Sequence, residues 1–230
     1  MSFTDPSGLV PLRCRNCGND LDGLSTDVIF HCGSCGRCWV FHGGFEQVGI
    51  RFLRSGGPGT VFLPFWKVDG TVSIYQRISR KGSSASIIEG FREFTGRERG
   101  LSENQPETRR DRFIFPAFST SLVLSTGVRM HKENFLPEKM EHGTQAVVKG
   151  GSIGPDDASA IARGVAVGVE VNRKDFLACV DLDVEVSDMS IYAVGCTPEE
   201  NVIRINGSDI GLPYAAVRDS GEMVHGERGH

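Results

Sequence analysis

The sequence predicts an α+β protein that is mostly β, and three observations carry the prediction. Four cysteines fall in two pairs within the first 35 residues. Runs of β-branched and aromatic residues recur between Gly- and Pro-rich breaks along most of the remaining chain. One segment, opening at Pro155, has the chemistry of a longer helix.

At 230 residues the chain is long enough to bury a core. Its 39% hydrophobic and 23% charged residues lie in the globular range, which sets aside wholesale disorder. No apolar run reaches the roughly 18 residues of a membrane helix, so no membrane insertion is expected. The opening MSFTDPSGLVPLRC has neither a basic n-region nor an apolar h-region, and the expected compartment is cytoplasmic. Five of the seven cysteines lie between Cys14 and Cys38, and an odd, clustered set in a reducing compartment favours a metal site over disulfides.

Cys14-Arg-Asn-Cys17-Gly18 and Cys32-Gly-Ser-Cys35-Gly36 have one form. A Cys-x-x-Cys turn aims two thiolates at one ion and its backbone amides at the sulfurs, and the following glycine allows the tight turn. Two such knuckles close a tetrahedron, so Cys14, Cys17, Cys32 and Cys35 are the expected metal ligands, with structural zinc as the leading ion. Cys32, Cys35 and Cys38 also spell the start of a ferredoxin-type run, but Trp39 stands where that run would continue. An iron–sulfur cluster and rubredoxin-like iron are therefore the competing readings, and Cys38 reads as a buried small hydrophobe.

The two pairs, then Trp39, Leu63-Pro64-Phe65-Trp66 and Phe115-Pro116-Ala117-Phe118, resemble bacterial zinc-ribbon proteins of an uncharacterised family with a β-rich remainder. The match covers scattered patches between residues 14 and 118 and implies an architecture without a reaction. It divides the chain into a zinc ribbon at 1–45, a β-rich domain with one main helix at 46–218, and a tail at 219–230.

Within that domain Val48–Leu53 reads as a strand, and 60–78 as a β-hairpin turning at Val68-Asp69-Gly70-Thr71. Residues 79–111 form a polar excursion with one short helix near Ser86–Gly96, whose Ile87, Ile88, Phe91 and Phe94 share a face. Strand character returns at Arg112–Phe118, Ser121–Met130 and Gln145–Lys149. Pro155-Asp156-Asp157 opens the main helix, which should run to about Gly168 or Asn172. From Phe176 to Val186, Val180, Leu182, Val184 and Val186 alternate with Cys179, Asp181, Asp183 and Glu185, a strand with one solvated acidic face. Residues 189–194, 201–205 and 212–217 add short strands. The proline-aromatic phrases at 62–66 and 113–118, with Tyr192-Ala193-Val194 as a degenerate third copy, imply bulges or edge strands.

Catalytic patterns have ordinary explanations. Gly150-Gly151-Ser152-Ile153-Gly154 fits a nucleophile elbow, and His42, Asp181 or Asp209, and His225 would complete a serine hydrolase. The central parallel sheet of such enzymes is missing from the strand pattern, and a glycine-rich loop before a helix accounts for the motif. The loop is no phosphate cradle, since Asp156 and Asp157 would repel an anion. His131-Lys132-Glu133 has deaminase spacing without the cysteine pair downstream.

Charge is uneven: residues 77–112 carry nine Lys/Arg against six Asp/Glu, and residues 133–230 carry eight against seventeen. Only Arg97, Arg99, Arg109, Arg110 and Arg112 could form a nucleic-acid footprint. The expected function is a non-enzymatic adaptor or scaffold in which the ribbon and the proline-aromatic strands present surfaces to an unidentified protein partner. Weak nucleic-acid binding through the ribbon and segment 97–112 is the alternative, and hydrolysis through Ser152 a distant third.

Overall fold

The computed structural model describes residues 12–53, 59–80, 106–135, 148–173 and 176–217. Two sheets organise them. Strands β1 (Ile29–His31), β2 (Cys38–Phe41) and β3 (Phe45–Val48) form an antiparallel sheet in that order. The larger sheet has the order β6-β5-β7-β8-β9, made by β5 (Val61–Arg80), β6 (Glu107–Pro116), β7 (Phe176–Pro198), β8 (Val202–Ile205) and β9 (Gly211–Pro213), with β4 (Ile50–Leu53) parallel to β7. Helices α1 (Val123–Lys132) and α2 (Pro155–Val171) complete the elements, and a 3-10 turn spans Tyr214–Ala216.

The mostly β class stands, and several local expectations change. The strand expected at Val48–Leu53 breaks at Gly49, leaving Val48 at the end of β3 and Ile50–Leu53 as β4 in the other sheet, and the strand expected at 212–217 gives way after Pro213 to the 3-10 turn. Residues 60–78 are one continuous strand, not a hairpin. Asp69-Gly70 has turn chemistry, yet Val68 and Val72 are both fully buried on one face, and the pair runs on in register with β6 while Ser187 of β7 bulges between Asp188 and Val186 opposite it. Only glycine fits there, because a Cβ on Gly70 would lie 2.7 Å from the Glu185 carbonyl oxygen. The segment 189–194 is likewise the second half of β7 and no separate strand.

Ser121–Met130 is helical rather than extended, so the domain has two helices among its described residues instead of one. Val123, Thr126 and Val128 suggest a strand by propensity. Packing overrides this, because Thr126, Gly127, Val128 and Met130 turn inward and Gly127 meets Val165 of α2. Gly164 and Gly168 of α2 in turn receive Leu124 and Val128. The main helix starts with Pro155 in its first turn and Asp156 and Asp157 beside it, and is capped at Asn172.

The proline expectation fails at Pro64, which sits on central strand β5 opposite Ala193 without a bulge. Its carbonyl accepts from Ala117 N (3.0 Å), so the missing N–H points the same way, past the end of β6, where no ladder bond is lost. Pro116 ends β6, which is an edge strand. The three proline-aromatic phrases are neighbours in the sheet: Phe65 pairs with Pro116 and Tyr192, and Pro64 with Ala193. They are buried core. Of the Gln145–Lys149 strand only Val148 and Lys149 are described, Val148 as an isolated bridge to Phe62. The helix near Ser86–Gly96 lies outside the described residues.

One face of the large sheet, with Trp66, Val68, Val72, Phe113, Phe115, Leu182 and Ile191, packs on Ala158, Ala162, Val165 and Ala166 of α2. The other, with Leu63, Phe65, Ile114, Tyr192 and Val194, continues through Ile203 of β8 and Leu212 of β9 and packs on Met130 and Phe135. Beyond these layers the lower half of the second face is polar, and Asp181, Asp183 and Glu185 are exposed there.

A buried ion cluster ties α2 to the sheet. Glu170 is fully buried and accepts from Arg77 Nε (2.8 Å), Arg109 Nη1 (2.9 Å) and Arg173 Nη2 (2.8 Å). Glu170→Ala would remove the buried carboxylate that three guanidiniums share, with Asp111 still beside Arg109, and chemical denaturation should show a loss of about 3–5 kcal/mol.

The Gly150–Gly154 loop clasps the two sheets. Gly151 O accepts from Val28 N (2.7 Å) and Ile29 N (2.8 Å), and Trp66 Nε1 donates to Ile153 O (2.8 Å). A Cβ on Gly151 would stand 2.8 Å from Ala117 O and 3.1 Å from Pro64 Cγ. Gly151→Ala is therefore expected to cost about 1–3 kcal/mol, read as a lowered Tm. Gly44→Ala, whose Cβ meets nothing within 4 Å, should stay near wild type.

Candidate metal centre

Residues 12–48 build the centre from two turns of matching geometry. In the first, Cys14 N donates to Asn19 O (2.8 Å) and Gly18 N to Cys14 O (2.8 Å). In the second, Cys32 N donates to Arg37 O (2.8 Å) and Gly36 N to Cys32 O (2.8 Å). Gly18 and Gly36 have φ of +76° and +71°, the left-handed conformation that glycine adopts without a Cβ clash. Asn19 Nδ2 donates to Ser34 Oγ (2.7 Å) between the turns.

The four thiols meet. The sulfurs of Cys14, Cys17, Cys32 and Cys35 all lie within 4.8 Å of one another, and they are the one group of its kind among the described residues. Cys14 Sγ is 3.5 Å from Cys35 Sγ, and Cys17 Sγ is 3.5 Å from Cys32 Sγ. A tetrahedron with metal–sulfur bonds of about 2.3 Å has sulfurs about 3.8 Å apart, so the spacing fits one ion. The arrangement is compatible with a zinc ribbon.

The electrostatics fit a cation too. Burial raises the Cys14 pKa, but the amides of Cys17 and Asn16, the Cys35 thiol and the Trp39 indole favour the thiolate more, and it falls to about 6. At Cys17 an amide bond from Asn19 favours the thiolate, yet burial and the three neighbouring sulfurs outweigh it and the pKa is pushed up to about 12. Four sulfurs this close cannot all ionise without a positive charge among them. The buried Trp39 Nε1 makes no hydrogen bond, and its N–H lies near enough to the Cys14 sulfur to favour the thiolate there. Such N–H donors support metal-bound sulfur from outside.

Cys38 is not in the cluster. It lies on β2 facing the large core with Ile29 and Val40, and burial pushes its pKa up to about 12. The ferredoxin-like spacing of Cys32, Cys35 and Cys38 is thus broken by the strand, which turns alternate residues to opposite faces.

The other candidates are dispersed. Ser152 sits in the clasp loop with no side-chain hydrogen bond among the described residues, while His42 Nε2 faces Asp156 Oδ2 (3.6 Å) at the surface. Asp181 is exposed on β7, Asp209 gives its backbone oxygen to Arg129 (3.1 Å), and His225 lies outside the described residues. Glu133 pairs with Arg129 (2.9 Å) and His131 with Asp111 (2.8 Å), so the deaminase-like spacing assembles nothing. Arg97 and Arg99 lie outside the described residues. Arg109 serves Glu170 and Asp111, Arg112 serves Asp69, and Arg110 is exposed.

Sequence reasoning missed the Asp111–His131 pair, 20 residues apart, and the Glu170 cluster, whose sheet partners Arg109 and Arg77 lie 61 and 93 residues from Glu170. The alternation of Arg109, Asp111 and Phe113 on one strand face was the available signal. Comparison with protein-family models, curated proteins and solved structures gives no match. Among the described residues no helix is long and apolar enough to cross a membrane.

Elemental analysis of purified variants tests the centre. Cys14→Ser, Cys17→Ser, Cys32→Ser and Cys35→Ser should each lose bound metal, and Cys38→Ser should keep about one ion per chain.

Proposed function

We propose that the four cysteines hold one structural zinc ion and that the chain is a non-enzymatic adaptor that binds a protein partner through its ribbon. The observation that carries this reading is the closure of the thiol cluster: four sulfurs from two matching turns fill a tetrahedron and leave no position for a substrate. An all-thiolate, tetrahedral site suits zinc, with iron as the competitor. In this reading residues 1–45 are a zinc-dependent module on the β-rich domain at 46–218, in a cytoplasmic protein of the bacterial ribbon type its motifs resemble.

The ribbon offers a surface for a partner. Phe41 and Phe45 are partly exposed and meet edge to face at 5.3 Å, and the Arg15 guanidinium stands 5.6 Å above the Phe45 ring. Aromatic and arginine side chains of this kind anchor protein interfaces. Strand β3 pairs only with β2 among the described residues, and its Glu46 and Gln47 are exposed. The proline-aromatic strands do not share this role, because they are buried.

Nucleic-acid binding is the second reading, supported by exposed Arg13, Arg15, Arg37 and Arg110. It is weakened by the ion pairs that already engage Arg13, Arg109 and Arg112. The hydrolase reading has a serine without a hydrogen-bonded histidine among the described residues.

Affinity capture with wild type and with an Arg15→Ala/Phe45→Ala variant separates these classes. The variant should keep its zinc and lose the captured partner. A submicromolar RNA or DNA complex that weakens steeply with salt would sink the adaptor reading, and so would fluorophosphonate labelling that disappears in Ser152→Ala.

A further inference from the structure

Where α1 ends, the chain folds back over edge strand β6 and leaves a cavity of about 240 Å³. The helix closes with Asn134 N donating to His131 O (3.1 Å) and Phe135 N to Met130 O (2.9 Å), with Asn134 left-handed at φ +48°. This turn sets Phe135 beside Met130 and Ile114, and the three buried side chains give the cavity an apolar lining.

The polar part of the lining is already ordered. Asp111 Oδ1 accepts from His131 Nε2 (2.8 Å) and Arg112 N (2.9 Å), and Oδ2 from Arg109 Nε (3.2 Å). Burial alone would raise the Asp111 pKa, but these donors hold it below the ordinary carboxylate range. Its charge is therefore answered from inside the fold, and it pins the His131 ring, which stacks on Phe113 at 5.8 Å.

Arg112 is differently placed. Its Nε engages Asp69 Oδ1 (2.8 Å), and Asp69 is also held by Lys67. The Arg112 side chain is 46% exposed, and its two terminal nitrogens make no hydrogen bond among the described residues. The Asn134 side chain, which makes no hydrogen bond among the described residues, lines the same cavity.

We propose that this cavity binds a small organic carboxylate with a compact apolar body. The Arg112 terminal nitrogens take the carboxylate in a fork, Asn134 adds a donor, and Ile114, Met130 and Phe135 hold the apolar body. The volume lies below the 300 Å³ or so at which drug-sized sites begin, which limits the ligand to about the size of one ring. An inorganic anion would leave the apolar lining uncovered, and a metal ion would find only Asp111 and His131.

The full chain with its metal bound is titrated with benzoate, acetate and benzyl alcohol, following the Met130 methyl resonance. Benzoate should bind with a Kd of about 1 mM or tighter. Acetate, which lacks the ring, and benzyl alcohol, which lacks the charge, should each be about tenfold weaker. Arg112→Gln should weaken benzoate about tenfold, while Arg110→Gln, on the neighbouring exposed arginine, leaves it unchanged. Arg112→Lys keeps the charge without the fork and should fall between them, which guards against a variant that merely perturbs β6. No movement of the Met130 resonance, equal binding of acetate, or equal loss in Arg110→Gln would overturn the site.

Discussion

The pairing of β5 with β7 is the constraint on which the rest of the structure depends. Two strands of 20 and 23 residues run antiparallel from Val61 opposite Cys196 to Arg80 opposite Phe176. Every other strand of the large sheet attaches to this pair directly or through one neighbour, and both helices pack on it or on β6. Register shifts at Asp69/Gly70, Ile74/Gln76 and Ile78/Ser79 bend the pair and raise its twist. A sheet this long would otherwise be too flat to wrap α2.

The same pairing explains why the sequence changes character along each strand. At the upper end both faces are covered, so Phe62–Trp66, Phe113–Phe118 and Ile191–Val194 read as continuous apolar runs. At the lower end one face packs on α2 and the other meets solvent. Val180, Leu182, Val184 and Val186 then alternate with acids. The acidic strand was legible because alternation is a local signal. The hairpin reading of 60–78 failed because a glycine serves a tight turn and a close strand-to-strand approach equally well, and only the partner strand, whose Glu185 carbonyl crowds Gly70, decides between them. The strand reading of 121–130 failed for a related reason. Val123, Thr126 and Val128 are β-formers by propensity, and the glycines on α2 that let them pack as a helix lie some 40 residues away.

The metal centre was legible because its information is local. Each knuckle is five residues long, carries its own glycine, and makes its own backbone bonds, so spacing alone identifies the four cysteines whose sulfurs meet. Cys38 was separable by its place on a strand. The cavity beside β6 has no such signature. Asp111 and His131 are ordinary residues until β6 and α1 bring them to 2.8 Å, and Arg112 is distinguished from Arg109 and Arg110 only by which neighbours consume its nitrogens. Sites built from long-range pairs become visible with the fold, and sites built from turns become visible with the sequence.

The ribbon is joined to the β-rich region by more than a linker. Strands β1 and β2 are apolar on both faces: Phe30 and Trp39 point to the metal side with Cys14 and Cys32, while Ile29, Cys38 and Val40 point into the large core. The Gly151 backbone locks Val28 and Ile29 in place from the other side. A small thiol-rich turn pair cannot bury enough surface to hold its shape alone, and an ion held by the four sulfurs would supply that free energy. Because the two faces belong to the same two strands, removing such an ion would loosen a wall of the large core as well as the turn pair itself. Occupancy of the thiol cluster and the packing of Trp66 and α2 would thereby be coupled through Ile29, Val40 and the clasp loop.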